Sequence, residues 1–370
     1  MSDVFETPTF LFAINIITLF IATFYVAVPD SEVSKRLKVQ DTQTLKVKGG
    51  LSITFAAASQ GGYYPCDSNK ANQDNFIAGL RGNHGKRSSY RNGKNDTAEN
   101  SAVLFAVFDG HGHTGAECAT LTRDYISREF EGWETEYSTQ RGSLCEKVHF
   151  SSSMSNAYRQ MSSLLESGEV GVDASHSGTT ASTLIITDRY LHTAHVGDSR
   201  CLLIEQEKVK ALTIDHDTDR EDEIKRIELH GGVVMSSDQY DSDDANFPVL
   251  QQKRVWSKQG KWPGTAFTRS IGDAIAKQIG VCADAECAHF PNLSDSMFII
   301  GSDGVFDFIP DDEIGKIVNK FHDPADACRE LIGKSWNRWC ESEERVDDIT
   351  VIVGHVKRKS NITTCDEVCE

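Results

Sequence analysis

Residues 103–108 (VLFAVF), followed directly by Asp109-Gly110-His111-Gly112, restrict the fold more than any other stretch of this sequence. A continuous apolar, β-prone run that stops at turn residues predicts a buried strand. Asp109 would then lie at the end of a rigid strand, and the glycines would let the backbone turn tightly and approach a ligand. Because Asp-Gly after a strand often marks only a turn, the interpretation depends on whether other strands end in the same way.

Four other places repeat this arrangement of a predicted strand with an acid at its end. Carboxylates gathered at one end of a β-sandwich repel one another unless cations neutralise them. Oxygen donors without a His or Cys cluster suit hard ions such as Mg²⁺ or Mn²⁺. Two such ions can share a water, lower its pKa and direct it at a phosphoryl group. The acids concerned are Asp74 near a strand start, Asp198 after 190–196, Asp303 and Asp307 after 297–301, and Asp347 before 349–353.

Charge and cysteine usage narrow the class of protein. The 370 residues carry a net charge of −17, which argues against nucleic acid as a partner because phosphate backbones recruit basic surfaces. The ten cysteines are scattered without a CxxC pair, a pattern that predicts free thiols in a reducing compartment. Nothing in the sequence points to an oligomer, and we expect a monomer.

The N-terminal region contains a nineteen-residue stretch without charge, residues 10–28, which is long enough to span a bilayer as a helix. Basic residues follow it, so the positive-inside rule keeps the C-terminal part cytoplasmic. A cleaved signal, or a helix buried in a soluble cytoplasmic protein, remain alternatives. The predicted organisation is a polar N-terminus (1–9), a membrane anchor (10–28), a linker (29–48), one large globular domain (49–356) and a polar tail (357–370).

Within the domain, strand patterns alternate with helical ones. Amphipathic spacing predicts helices over 114–131, 144–166, 219–230, 311–321 and 324–340. Residues 236–264 are polar and rich in Asp and Ser, and we interpret them as a long irregular insert.

Eight short motifs, in order over residues 50–356, resemble the metal-dependent protein Ser/Thr phosphatases of type 2C (the PPM family). The matching motifs are Asn72-Gln73-Asp74, Phe108-Asp109-Gly110-His111-Gly112, Ser177-Gly178-Thr179-Thr180-Ala181, Val196-Gly197-Asp198-Ser199-Arg200, Leu212-Thr-Ile-Asp-His216, Thr268-Arg-Ser-Ile-Gly-Asp273, Ser302-Asp303-Gly304 and Asp347-Asp348-Ile349-Thr350.

The resemblance implies a fold and an activity. The fold is α+β, a four-layer α-β-β-α sandwich of two packed antiparallel sheets flanked by helices. The activity is metal-dependent hydrolysis of phosphoserine and phosphothreonine in phosphoprotein substrates, by a water that bridges two Mg²⁺ or Mn²⁺ ions. The insert at 236–264 would be the family's flap.

The resemblance also implies a role for each site residue. The two-metal ligands would be Asp74, Asp109, the Gly110 carbonyl, Asp303 and Asp347, with Asp109 bridging the ions. A third, looser metal would involve Asp198 and Asp307 together with Asp303. His111 would be the general acid that protonates the leaving oxygen, which suits an imidazole near neutral pKa.

Three positions depart from the family pattern. Gln73 replaces the usual Glu, and an amide can still hold a metal-bound water. An Arg that binds the substrate phosphate is missing upstream, and Lys70 is the nearest base, a point charge instead of a fork. The family's His-Lys-Pro is His216-Asp217-Thr218 here.

Two other functions compete with an active phosphatase. The first is a catalytically weak phosphatase-like module that binds a partner at a membrane, against which all the metal acids are present. The second is a cation-binding or adhesion β-sandwich, which would not predict a histidine beside the bridging acid.

Overall fold

The computed structural model describes residues 36–65, 67, 70–81, 99–139, 145–236, 253–258, 260, 262–292 and 295–358. The predicted anchor at 10–28 and most of the predicted flap insert lie outside these ranges. Within them, no helix combines the length and the apolar character needed to cross a membrane.

The described chain forms eighteen strands and seven helices. The strands are β1 Leu37–Val39, β2 Gln43–Val47, β3 Leu51–Gln60, β4 Asn75–Arg81, β5 Ala102–Phe108, β6 Gly110–His111, β7 Gly178–Thr179, β8 Ala181–Thr187, β9 Tyr190–Val196, β10 Arg200–Glu205, β11 Lys208–Ala211, β12 Gly232–Met235, β13 Arg254–Ser257, β14 Pro263–Thr265, β15 Ile271–Gly272, β16 Glu286–Pro291, β17 Ser296–Gly301 and β18 Ile349–Arg358. The helices are α1 Gly115–Thr139, α2 Cys145–Glu166, α3 Glu221–Leu229, α4 Ala274–Lys277, α5 Asp303–Phe306, α6 Asp311–Val318 and α7 Pro324–Ser342.

Two antiparallel sheets carry the fold. The larger has the order β1-β3-β18-β17-β10-β11, with β2 also pairing with β3, and the smaller has the order β16-β9-β8-β5-β4. In β5, Val103, Phe105 and Val107 pack between the sheets, whereas the alternate residues face the helices. Burial on both faces explains why the run 103–108 shows no polar alternation.

Three cores hold the layers together. Between the sheets, the Phe105 ring lies 5.0 Å from Phe55 and 4.7 Å from Phe298, centroid to centroid. A second core packs the five-stranded sheet against α1 and α2, and a third packs the seven-stranded sheet against α6 and α7. The predicted four-layer α-β-β-α sandwich is thereby confirmed.

The sheet begins earlier than the sequence indicated. β1 and β2 both pair with β3, although they fall inside the predicted linker at 29–48. The alternation of Leu45 and Val47, both buried, with charged or polar neighbours is the period-two pattern of a half-buried strand. At the other end, β18 runs two residues beyond the predicted domain end at 356.

Part of the predicted insert is regular. β13 and β14 pair with each other and, through β13, with β12, which precedes the insert; we call this small antiparallel sheet the flap sheet. Its Val255 packs with Ile227, Ala276 and Val281 in a small core of its own. This core joins the flap sheet to α3 and α4, beside the open edge of the sandwich.

Candidate active site

Five of the predicted acids line one cleft of about 390 Å³ at the edge of the two sheets. Each of these acids lies beside the end of a core strand, or on or just after the short helix that follows such a strand. Asp109 follows β5, Asp198 follows β9, Asp303 and Asp307 lie in and after α5 behind β17, and Asp347 precedes β18. His111, Gly110 and Lys70 line the same cleft, so the structure brings these sequence-predicted residues together.

Asp74 does not line this cleft, but it lies close enough to Asp109 for its charge to raise the pKa of that carboxyl. Its side chain is 9% exposed, and Oδ2 accepts a hydrogen bond from Ser302 Oγ at 2.8 Å. Its Oδ1 is buried and has no hydrogen-bond partner among the described residues. Burial first, and then the charge of Asp348, raise the pKa of this carboxyl to about 7. An acceptor buried without a donor is costly unless another group satisfies it.

Four acids of the cleft also have raised pKa values. Burial and the neighbouring carboxylates, Asp303 foremost, raise the pKa of Asp109 well above its usual range. The same causes raise the pKa of Asp303, and they raise that of Asp198 to about 7 and that of Asp307 to about 6. So much negative charge in so small a volume is stable only with protons or cations present. An all-oxygen donor set with an unsatisfied carboxylate oxygen fits hard divalent cations.

The glycines beside Asp109 are required by close backbone contacts. A Cβ on Gly110 would lie 2.3 Å from the Gly115 carbonyl oxygen and 2.7 Å from that of Gln73. Gly112 has a φ of +82°, in the left-handed region that favours glycine. The loop between β5 and α1 is thus packed tightly enough to hold the Gly110 carbonyl in one orientation.

His111 is oriented by Asp273, a residue whose role was not predicted from the sequence. Its Nε2 lies 2.7 Å from Asp273 Oδ2, and its ring packs 4.4 Å from that of Phe267. Asp273 is 2% exposed and has a φ of +56°. Burial tends to raise its pKa, but the His111 charge and hydrogen bond outweigh this and lower it, so Asp273 is ionised. The available signal was its place at the end of the motif 268–273, after the two-residue strand β15.

Tyr64, Lys70 and Gln73 line the wall of the cleft together with Asp347. Tyr64 Oη donates to Asp347 Oδ1 at 2.5 Å, and Lys70 Nζ lies 3.7 Å from the centre of the Tyr64 ring. Gln73 Nε2 donates to the Gly112 carbonyl at 2.7 Å. The Gln73 side chain, which also lines the cleft, therefore supports the glycine loop through Nε2.

Asp348, next to Asp347, has a structural role. Its two carboxylate oxygens accept from the backbone N–H groups of Gly62, at 2.7 Å, and of Gln73, at 2.8 Å. These bonds tie the start of β18 to the segment that carries Asp74.

His216 lies outside the cleft in a buried polar cluster. Its Nδ1 accepts from Gly197 N–H at 3.2 Å, its Nε2 lies 3.3 Å from Glu286, and its ring stacks on His195. These side chains are close enough to hold a metal. However, both His195 nitrogens lie at backbone carbonyl oxygens and Arg220 binds Glu286, so hydrogen bonds account for the cluster.

The fold and the cleft together define a metal-dependent hydrolase with its site at the edge of a β-sandwich. The family model for protein phosphatase 2C matches residues 77–343. "Probable protein phosphatase 2C 35" of Arabidopsis thaliana is 32% identical over 325 residues, which cover 84% of this chain and 85% of the relative. The chain therefore belongs to the protein phosphatase 2C family of Ser/Thr protein phosphatases.

Solved structures show the same fold. The serine-threonine phosphatase 2C from Toxoplasma gondii aligns with a TM-score of 0.64 at 16% identity, over 87% of this chain and 99% of that one. The catalytic domain of the phosphatase PstP, solved with two manganese ions, aligns with a TM-score of 0.50 at 17% identity, over 83% and 99%.

Proposed function

We propose that this protein hydrolyses phosphoserine and phosphothreonine in proteins with the help of divalent cations bound in the carboxylate cleft. The observation that carries the proposal is the group of buried acids with raised pKa values, beside a histidine that an ionised aspartate orients. Membership of the family supports the reaction, and the manganese-bound PstP domain supports the choice of ion.

The ligands we assign follow from placement and chemistry. Asp74, Asp109, the Gly110 carbonyl, Asp303 and Asp347 would hold two Mg²⁺ or Mn²⁺ ions, and Asp198 and Asp307 would join Asp303 at a third. When bound, such ions lower the pKa of water and offset charge on phosphoryl oxygens. Binding of these cations would give the buried Asp74 Oδ1 a partner and would also offset the negative charges of Asp109 and Asp303.

The remaining groups act on the substrate. Since Nε2 of His111 is engaged with Asp273, Nδ1 is the nitrogen that gives a proton to the leaving Ser or Thr oxygen. Asp273 fixes the orientation of the ring and places a negative charge beside its Nε2. Lys70, lying on the Tyr64 ring, contributes one positive charge to the phosphate.

The test uses the full chain in mild detergent with a phosphothreonine peptide and Mn²⁺. We expect phosphate release that is abolished by EDTA and reduced at least a hundredfold by Asp109→Ala. Asp124→Ala, which removes an exposed carboxylate on α1, is the matched control and should leave activity unchanged. Folded, metal-loaded protein that releases no phosphate would favour the non-enzymatic binding module instead.

We further propose that residues 10–28 tether the catalytic domain to a membrane, with the domain on the cytoplasmic side. The support is the uncharged nineteen-residue stretch followed by basic residues. Full-length protein should stay with membranes on carbonate extraction. Release into the soluble fraction would contradict the tether and favour the soluble cytoplasmic alternative. Sedimentation of the solubilised chain should give a monomer.

A further inference from the structure

Two arginines line the mouth of the cleft without a carboxylate partner. Arg345 is exposed, two residues before Asp347, and Arg254 is half-buried on β13 of the flap sheet. In the described part of the chain, neither guanidinium forms an ion pair. Other partly buried arginines do: Arg200 binds Asp215 and Asp311, and Arg269 binds Glu223. In a chain with a net charge of −17, two unpaired arginines in one cleft are unusual.

Arg254 is held in place by one hydrogen bond. Its Nη1 donates to the Gly264 carbonyl at 2.7 Å, whereas its Nε is buried and has no partner among the described residues. Burial and then the positive charge of Arg345 lower its pKa, although Asp198 opposes this. The two cations therefore lie within electrostatic reach of each other, and an anion between them would relieve the repulsion.

The position of Arg254 shows which part of a substrate it meets. Gly264, whose carbonyl it contacts, belongs to the cleft wall that runs from Pro263 to Phe267. Phe267 packs against His111, the proton donor to the leaving oxygen. This wall therefore faces the peptide that leaves, not the phosphoryl group that is transferred.

We infer, building on the function proposed above, that Arg254 and Arg345 bind a second anionic group of the phosphoprotein substrate. That group is a phosphate or carboxylate a few residues from the phosphorylated Ser or Thr. Forked guanidinium groups bind both of these anions in a bidentate manner. The enzyme would accordingly prefer phosphopeptides with acidic neighbours, against the repulsion of its own acidic surface.

The test compares three phosphothreonine peptides that differ at one neighbouring position: alanine, glutamate or a second phosphothreonine. With full-length protein and Mn²⁺, kcat/KM should be about tenfold higher for the two acidic peptides than for the alanine peptide, mostly because KM is lower. The peptide with the second phosphate, a dianion, should give the higher value of the two. Arg345→Ala and Arg254→Gln should each reduce this ratio several-fold, and the double variant should abolish it. Arg345→Lys should restore part of it. Lys253→Ala removes the neighbouring exposed cation on the outside of the flap sheet and should keep the full ratio.

The outcomes separate this inference from the proposed function. Hydrolysis of p-nitrophenyl phosphate by the same preparations reports whether the metal centre works. An active enzyme with equal kcat/KM for all three peptides, or variants that keep the preference, would overturn the inference alone. If no hydrolysis occurs, fluorescence anisotropy of the labelled peptides with metal-loaded protein decides: tighter binding of the acidic peptides supports the arginine pair, and equal binding refutes it.

Discussion

Replacing Asp273 by Asn would separate two effects of this side chain on His111: the orientation of the ring and the negative charge beside it. Asn is nearly isosteric and tolerates the left-handed backbone conformation at this position, a φ of +56°. The change removes the negative charge 2.7 Å from His111 Nε2, in a place where the side chain is almost fully buried. The His111 ring then loses the anion that its Nε2 contacts, while the shape of the contact is kept.

The size of the effect follows from the kind of contact. A hydrogen bond to a charged group contributes about 1.5–3 kcal/mol. At about 1.4 kcal/mol for each factor of ten, kcat on a phosphothreonine peptide should fall by about 10- to 150-fold. KM should change little, because Asp273 touches His111 and not the substrate.

Two substrates with different leaving groups test whether Asp273 acts through proton donation by His111. An alkoxide needs a proton to leave, whereas p-nitrophenolate leaves readily without one. Asp273→Asn should therefore lose far more activity on the peptide than on p-nitrophenyl phosphate. Equal losses on both substrates would mean that Asp273 serves only the local fold, and the reasoning would be refuted.

Three further predictions concern packing and pH. Gly110→Ala places a Cβ 2.3 Å from the Gly115 carbonyl oxygen, so it should lower the free energy of unfolding by about 1–3 kcal/mol and reduce Mn²⁺-dependent activity. Gly132→Ala, in open space on α1, should instead raise the free energy of unfolding by about 0.5–1 kcal/mol. Urea unfolding measures both changes. Phe105→Ala should cost about 3–5 kcal/mol in the same assay because it empties the centre of the core between the sheets, and a loss below 1 kcal/mol would contradict that packing. Burial lowers the pKa of His216 to about 4, so between about pH 6.5 and pH 4 the imidazole takes up a proton only when the chain is unfolded. The free energy of unfolding should therefore keep its full value above pH 6.5 and fall by about 2 kcal/mol by pH 5. His216→Gln should remove that part of the acid sensitivity.

The strand-end acids could be located from the sequence because their signal is local. A run such as 103–108 is apolar at every position since β5 is buried on both faces, and an acid directly after it must lie at the sheet edge. The same reasoning places Asp198, Asp303 and Asp347. The fold class followed from the motif order, and the structure confirms it.

Other residues of the site have no local signal. Asp273 follows β15, which has only two residues, too few for any periodicity to be read. Asp348 acts through the N–H groups of Gly62 and Gln73, which are 286 and 275 residues away along the chain. Such contacts depend on how the two sheets meet. β1 and β2 were missed for a different reason, since charged residues on their exposed faces concealed the alternation.

The small core of the flap sheet has a consequence for how such an enzyme can diverge. Val255, which follows Arg254, packs against Ala276 in α4, and α4 begins at the residue after Asp273. Inward substitutions in the flap sheet would therefore disturb proton delivery as well as peptide recognition. Adaptation to a new phosphoprotein should be confined to outward-facing flap positions, while Val255 and Ala276 stay small and apolar.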